Sequence, residues 1–207
     1  MMQSIFCLFT HRFIAYSDTF MTDSWQKMVS GEVYDALAPE LINELNRVKD
    51  LVWQYNQIRP SDYTSKEQAI RALLGKCGVR PIVNQPFYCD YGRNIEVGDF
   101  FFSNFNLTIL DEASVKIGDH VFIGPNVSVY TACHPTNPEE RNKGVEWARP
   151  ITIGNSVWIG GSVTILPGVT IGDNCTIGAG SVVTRDIPAN SIAVGNPCKV
   201  IKHIDHT

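Results

Sequence analysis

Along the second half of the chain, large aliphatic residues return every six positions. From Ile153 the units open on Ile153, Ile159, Ile165, Ile171, Ile177 and Val183, and their fifth places hold Val157, Val163, Val169, Cys175, Ser181 and Ile187. A period of six is neither the roughly 3.6 of a helix nor the roughly 2 of a half-buried strand. The chain must regain the same surroundings after a short strand and a corner, so each unit is one side of a coil. Three units close a triangular turn, which stacks Ile153 with Ile171 and Ile159 with Ile177. Gly followed by Asn or Asp, as in Gly154-Asn155 and Gly172-Asp173, is expected to supply the unusual φ of the corner. The pattern predicts a mainly β chain, a parallel β-helix prism with few free edges along its length.

Upstream the period loosens. Irregular rungs run through Val97, Ser103 and Ile109, and cleaner hexads then open at Ile117, Ile123 and Val129. Ile109 to Ile117 is eight rather than six, which requires a bulge. After Val129 the pattern lapses, and an inserted loop over 131–149, charged and carrying Trp147, is of the kind that lies over a binding face.

Before Pro81 the pattern is helical. Thr22 or Asp23 caps a short helix that Gly31 ends. Pro39 opens a longer one, with Leu41, Leu45, Val48, Val52, Tyr55 and Ile58 at spacings of three and four and Pro60 as the stop. A third starts at Ser65, where Ser-x-x-Gln to Gln68 reads as a capping box. The expected organisation is a dispensable extension over 1–20, an N-terminal helical cap over 21–80, and the β-helix with its inserted loop and C-terminal tail over 81–207.

Composition narrows the class. The 207 residues are 44% hydrophobic with a formal net charge of −4, which gives no electrostatic footprint for nucleic acid. Ile5 to Phe9 forms a brief apolar run, but Thr10-His11-Arg12 interrupts it and no basic residue precedes it, so no signal peptide and no membrane span is expected. Six cysteines lack Cys-x-x-Cys spacing, which suits free thiols in a reducing cytoplasm and predicts no structural or catalytic metal.

Several segments resemble one family. Phe87-Tyr-Cys-Asp-Tyr-Gly92, Asn104-Phe-Asn106, Thr131-Ala-Cys-His-Pro135, Pro150-Ile-Thr-Ile-Gly-Asn155, Val157-Trp-Ile-Gly160, Pro167-Gly-Val-Thr-Ile-Gly172 and Gly195-Asn-Pro197 are similar to the maltose and galactoside O-acetyltransferases, which include the nodulation acetyltransferases. Gly31-Glu-Val-Tyr34 in the cap matches as well, so the resemblance spans about residues 24 to 204. It implies a left-handed coil, acetyl-CoA as co-substrate, a sugar hydroxyl as acceptor, and a homotrimer with active sites between subunits. Handedness rests on the resemblance alone, since crossover connections ordinarily turn the other way.

Acetyl transfer from a thioester to an alcohol needs a base for the hydroxyl proton and a donor for the carbonyl oxygen. His134 has the chemistry of the base, because imidazole accepts and returns protons near neutral pH. Position alone leaves a surface or packing histidine open, and the match to the family's catalytic histidine favours the base. Cys133 raises a second mechanism through an acetyl-enzyme. Neighbours on an extended strand face opposite ways, which favours direct transfer.

The resemblance assigns acceptor contacts to Asp90, Asn104 and Glu112, with Asp35 as a weaker candidate from the cap. It assigns CoA contacts to Asn104, Gly161, Ala179, Thr184, Arg185, Lys199 and Lys202, with Gly161 N–H as oxyanion donor. Trp158 is expected to face outward, onto the pantetheine channel or a subunit contact. Three other readings share the coil: an acyltransferase for an amine, antibiotic or nucleotide-sugar acceptor, a metalloenzyme of the γ-carbonic anhydrase kind, and a non-catalytic assembly module. The metalloenzyme needs three converging histidines, and the coil region offers His120 and His134.

Overall fold

The computed structural model describes residues 22–204, and the extension expected over 1–20 lies outside them. The hexads fold into a three-sided prism of parallel strands. One face stacks Lys76–Cys77, Ile95–Val97, Val115–Ile117, Ile151–Ile153 and Thr170–Ile171. The second stacks Ile82–Val83, Phe102–Ser103, Phe122–Ile123, Trp158–Ile159, Thr176–Ile177 and Ser191–Val194. The third stacks Phe87–Cys89, Leu107–Leu110, Ser128–Tyr130, Thr164–Ile165 and Val182–Val183. Ile153 pairs with Ile171 and Ile159 with Ile177, the register that the six-residue period requires. The stacked residues form one continuous buried core, the chief stabilising element of a coil.

The corners work differently from the sequence expectation. Positive φ falls at the fourth place of the hexad, on Ser156, Ser162, Gly168, Asn174 and Gly180. The second-place glycine answers instead to close approach between coils: a Cβ on Gly154 would fall onto Asp173 of the next coil. The third-place Asp or Asn builds a ladder up the corner between the first two faces. Asp99 N–H donates to Asp119 at 2.7 Å, Asp119 N–H to Asn155 at 2.8 Å and Asn155 N–H to Asp173 at 2.6 Å.

Three helices cover the first coils. Helix α1 (Asp23–Ser30) is capped by Thr22 and ended by Gly31 at φ 80°. Helix α2 (Pro39–Gln57) buries Leu41, Val48, Val52 and Tyr55. Helix α3 (Tyr63–Leu73) starts two residues before the sequence expectation. Its cap is Asp62, whose carboxylate accepts from both the N–H and the hydroxyl of Ser65, so Ser65 serves as a donor inside the helix. The parallel ladder begins at Lys76–Cys77, ahead of Pro81.

At the far end the strand Lys199–His203 turns back antiparallel on Ser191–Val194, with a bulge between Ile192 and Ala193. The insertion folds as a hairpin, Ala132–Cys133 against Val145–Ala148, with the short helix α3's successor α4 (Pro138–Arg141) at its tip. Val145–Ala148 also pairs with Tyr34–Asp35 of the cap, tying cap, insertion and coil together.

Candidate active site

The insertion positions His134 by register. Ala132 faces Ala148 and Cys133 faces Trp147 across the hairpin, so His134 follows opposite Glu146. On the other flank Tyr34 pairs with Glu146. The result is a row of three side chains from three neighbouring segments. Tyr34 donates its hydroxyl to Glu146 Oε1 at 2.8 Å, and Glu146 Oε2 lies 3.9 Å from His134 Nδ1. Tyr34 and Glu146 are buried, whereas the His134 side chain is 54% exposed. Burial pushes the Glu146 carboxyl up, while the Tyr34 hydroxyl and His134 pull it back. Burial and the Glu146 charge together push the Tyr34 hydroxyl far up, which keeps it a donor.

Glu146 and Tyr34 were not singled out by the sequence. The available signal was a carboxylate between Val145 and Trp147 in a strand otherwise apolar, together with the cap segment ending on Tyr34. Asp35, the cap residue suggested by sequence, points the other way: it is exposed and accepts from its own loop at Leu37 N–H.

Next to this row lies a group of acids on the corner that follows the third face. The eight-residue gap is a turn that carries Asp111 and Glu112 inward. Asp111 accepts from the N–H groups of Asp90, Tyr91 and Asn94 at 3.1, 2.8 and 3.3 Å, and burial pushes its carboxyl up to about 7 against those donors. Glu112 is buried behind Asp90, where desolvation pushes its carboxyl up to about 9, helped by its hydrogen bond to Asp90.

The Thr131 hydroxyl accepts from Ala113 N–H at 3.0 Å and faces two acceptors, Leu110 C=O at 2.8 Å being the nearer. Glu112 Oε2 accepts from the same hydroxyl at 3.1 Å, which leaves the carboxyl proton for Asp90. Glu112, expected as an acceptor contact, is buried, and Asp90 beside it is partly exposed.

Cys133 has its thiol pushed up by burial, so it is a poor source of thiolate. Thr184 and Arg185 sit farther along the same edge of the prism, after Val182–Val183. Asn104, Gly161 and Ala179 line the opposite edge of the third face, where Asn104 accepts from Phe105 N–H at 2.8 Å. The four residues of Leu107–Leu110 separate the two edges by on the order of 13 Å. Lys199 and Lys202 lie exposed on the antiparallel end strand. Trp158 faces outward, as expected, 59% exposed in a column with Phe122, Phe102 and Ile82. His120 stacks on Phe100 at a corner, 4.8 Å between ring centroids, away from His134 in sequence and role.

A coil of hexapeptide units with a histidine at the mouth of its insertion defines a hexapeptide-repeat transferase. Residues 27–78 match the maltose acetyltransferase hexapeptide capping motif, and residues 150–185 match the bacterial transferase hexapeptide of six repeats. The chain is 44% identical to the galactoside O-acetyltransferase of Escherichia coli, over 87% of this chain and 89% of that one. The crystal structure of a maltose O-acetyltransferase from Clostridium difficile superposes with a TM-score of 0.88 at 47% identity, covering 89% of this chain and 99% of that one. A galactoside acetyltransferase in complex with coenzyme A gives 0.85 at 43% identity, covering 89% and 92%. The chain belongs to the maltose and galactoside O-acetyltransferase family.

Proposed function

We propose that the protein is an acetyl-CoA-dependent O-acetyltransferase that acts directly on a hydroxyl of a maltose, glucose or galactoside type of sugar, with His134 as general base. The row Tyr34, Glu146, His134 carries this reading. Glu146 stands 3.9 Å from Nδ1 of a half-exposed imidazole, which leaves Nε2 for the acceptor hydroxyl. The hydroxyl oxygen attacks the thioester carbonyl as Nε2 takes its proton. A tetrahedral oxyanion forms, and it collapses by expelling the CoA thiolate, which recovers the proton from His134. The Glu146 carboxylate supports the imidazolium between those two events, as the third member of such arrangements does elsewhere.

Asp90 is the acceptor contact on this edge. Asn104, Gly161 and Ala179 serve the thioester end, with the Gly161 N–H facing the developing oxyanion. Arg185, Lys199 and Lys202 meet the phosphates of CoA, and Thr184 lies beside them. Glu112 acts through Asp90.

Since Asn104 and Gly161 occupy a different edge from His134, a complete site requires one chain's Asn104 edge to meet another chain's His134 edge. The outward column of Phe122, 52% exposed, and Trp158 gives the second face an apolar surface suited to that contact. A closed ring of three copies satisfies both edges of every prism, which supports a homotrimer with sites between subunits. The free thiols of Cys77, Cys89, Cys133, Cys175 and Cys198 suit the reducing cytoplasm.

The test is CoA release from acetyl-CoA with maltose, glucose, simple galactosides and chitin fragments, and with chloramphenicol and serine as controls. Saturable release with one sugar class is the expected result. Release with a control alone moves the protein to another acceptor, and no release with no CoA binding by calorimetry removes the transferase reading.

A further inference from the structure

A groove of ≈ 380 Å³ runs between α2 and the third face of the coil, with Asp90 in its lining. Its size falls in the lower range of small-molecule sites. Trp53 from α2 and Tyr88 from the coil line it, 64% and 47% exposed. Packing gives no reason for a Trp at that helix position: the buried stripe of α2 passes through Val48, Val52 and Tyr55, and residue 53 lies off it. Asn56 fixes the wall, its amide accepting from Phe87 N–H and donating to Phe87 C=O, both at 2.9 Å. Lys49 and Gln57 put an exposed ammonium and an exposed amide on the rim.

Two aromatic faces beside hydroxyl-seeking polar groups suit a ring with apolar C–H faces and a polar edge. That is the chemistry of a pyranose. The groove also leads to the corner that carries the reaction centre: Asp90 N–H donates to Asp111 at 3.1 Å, and the next residue, Glu112, accepts at 3.1 Å from the hydroxyl of Thr131, in the segment that leads to His134. We infer that this groove is a subsite for the sugar unit next to the one acetylated, with Trp53 and Tyr88 as its stacking surfaces. The acceptor class is then a di- or oligosaccharide whose terminal unit sits at His134 and whose next unit lies along α2. This rests on the sugar acetyltransferase reading.

The experiment compares kcat/KM of the full-length protein and of Trp53→Ala and Tyr88→Ala. The acceptors are three series: glucose, maltose and maltotriose; galactose and lactose; N-acetylglucosamine, chitobiose and chitotriose. In the series that the wild type accepts, each substitution is expected to lower kcat/KM for the longer members about tenfold, mainly through KM, and to change the monosaccharide less than twofold. An equal loss on every length, or no loss on any, overturns the subsite. So does a changed oligomeric state by sedimentation, which would make Trp53 and Tyr88 a contact between copies. If the wild type acetylates no sugar, the proposed function fails on its own account. Calorimetric titration with maltotriose and chitotriose then decides the groove: binding lost in Trp53→Ala keeps it as a saccharide site, and no binding overturns it too.

Discussion

The late coils and the early coils are built from the same unit and have become different materials. From Ile153 to Val183 each hexad opens on an inward Ile or Val, and the buried interior is aliphatic apart from Cys175 and a hydrogen-bonded Ser181. From Phe87 to His134 the unit is broken twice, once by the turn at Asp111–Ser114 and once by the insertion. Both breaks fall on one corner of the prism, and together they bring in Asp111, Glu112, Glu146 and Tyr34. The regular coils offer their corners, where Gly161, Ala179 and Arg185 are proposed to meet CoA, but no buried acid. The polar chemistry enters where the repeat is interrupted, and the regular coils supply the rigidity that holds it.

That division can be broken from either side, and the largest effect is expected at the irregular end. His134→Ala should lower turnover about 10² to 10⁴-fold while leaving thermal stability and CoA affinity near wild type. Near-normal turnover would remove His134 from the mechanism. The converse change is Ile171→Ala in the regular coils, expected to cost about 2–5 kcal/mol by chemical denaturation. Turnover per folded molecule should survive it, and a selective loss of kcat would show that the two regions are not separable.

The buried acids give a pH signature that the aliphatic coils cannot. Glu112 keeps its proton up to about 9 and Asp111 up to about 7 in the fold, whereas unfolded carboxyls ionise near 4. Between those values the unfolded chain releases protons that the native chain retains, so stability should fall as pH rises from about 4 to about 9. Glu112→Gln, which keeps a donor to Asp90 and has no proton to lose, should flatten part of this slope. It should match wild type near pH 5 and exceed it by about 1–3 kcal/mol near pH 9; parallel curves would show that Glu112 ionises in the fold.

The smallest effect concerns one polar atom inside the early coils. Ser103 stacks between Val83 and Ile123, and its buried hydroxyl lacks a hydrogen-bond partner among the described residues. Ser103→Ala should stabilise by about 1 kcal/mol. A loss of stability would mean that this hydroxyl is satisfied after all.

The same contrast explains what could be read from the chain. The late coils were legible to the register of individual pairs, because a six-residue period leaves one way to stack Ile153 on Ile171. His134 was reached through the segment around it. Glu146 was not, because its role depends on a hairpin register inside the insertion and on Tyr34, which lies 112 residues away in sequence. Glu112 was reached through the resemblance, but its burial was not: a gap of eight signals a bulge without saying which of its residues turns inward. The corner φ was assigned to the second and third places because Gly, Asn and Asp are the usual carriers. Contact between successive coils claims the glycine first, and the turn is left to the fourth place.

The antiparallel strand Lys199–His203 has a consequence for the molecule in a crowded solution. A parallel coil is a template that another coil could extend indefinitely, as fibrils do. Here the helical cap closes one end, and at the other the last strand reverses direction. Its bulge disturbs the ladder, and its lysines place charge along the edge that remains. The strand that would otherwise invite polymerisation is the one that ends it.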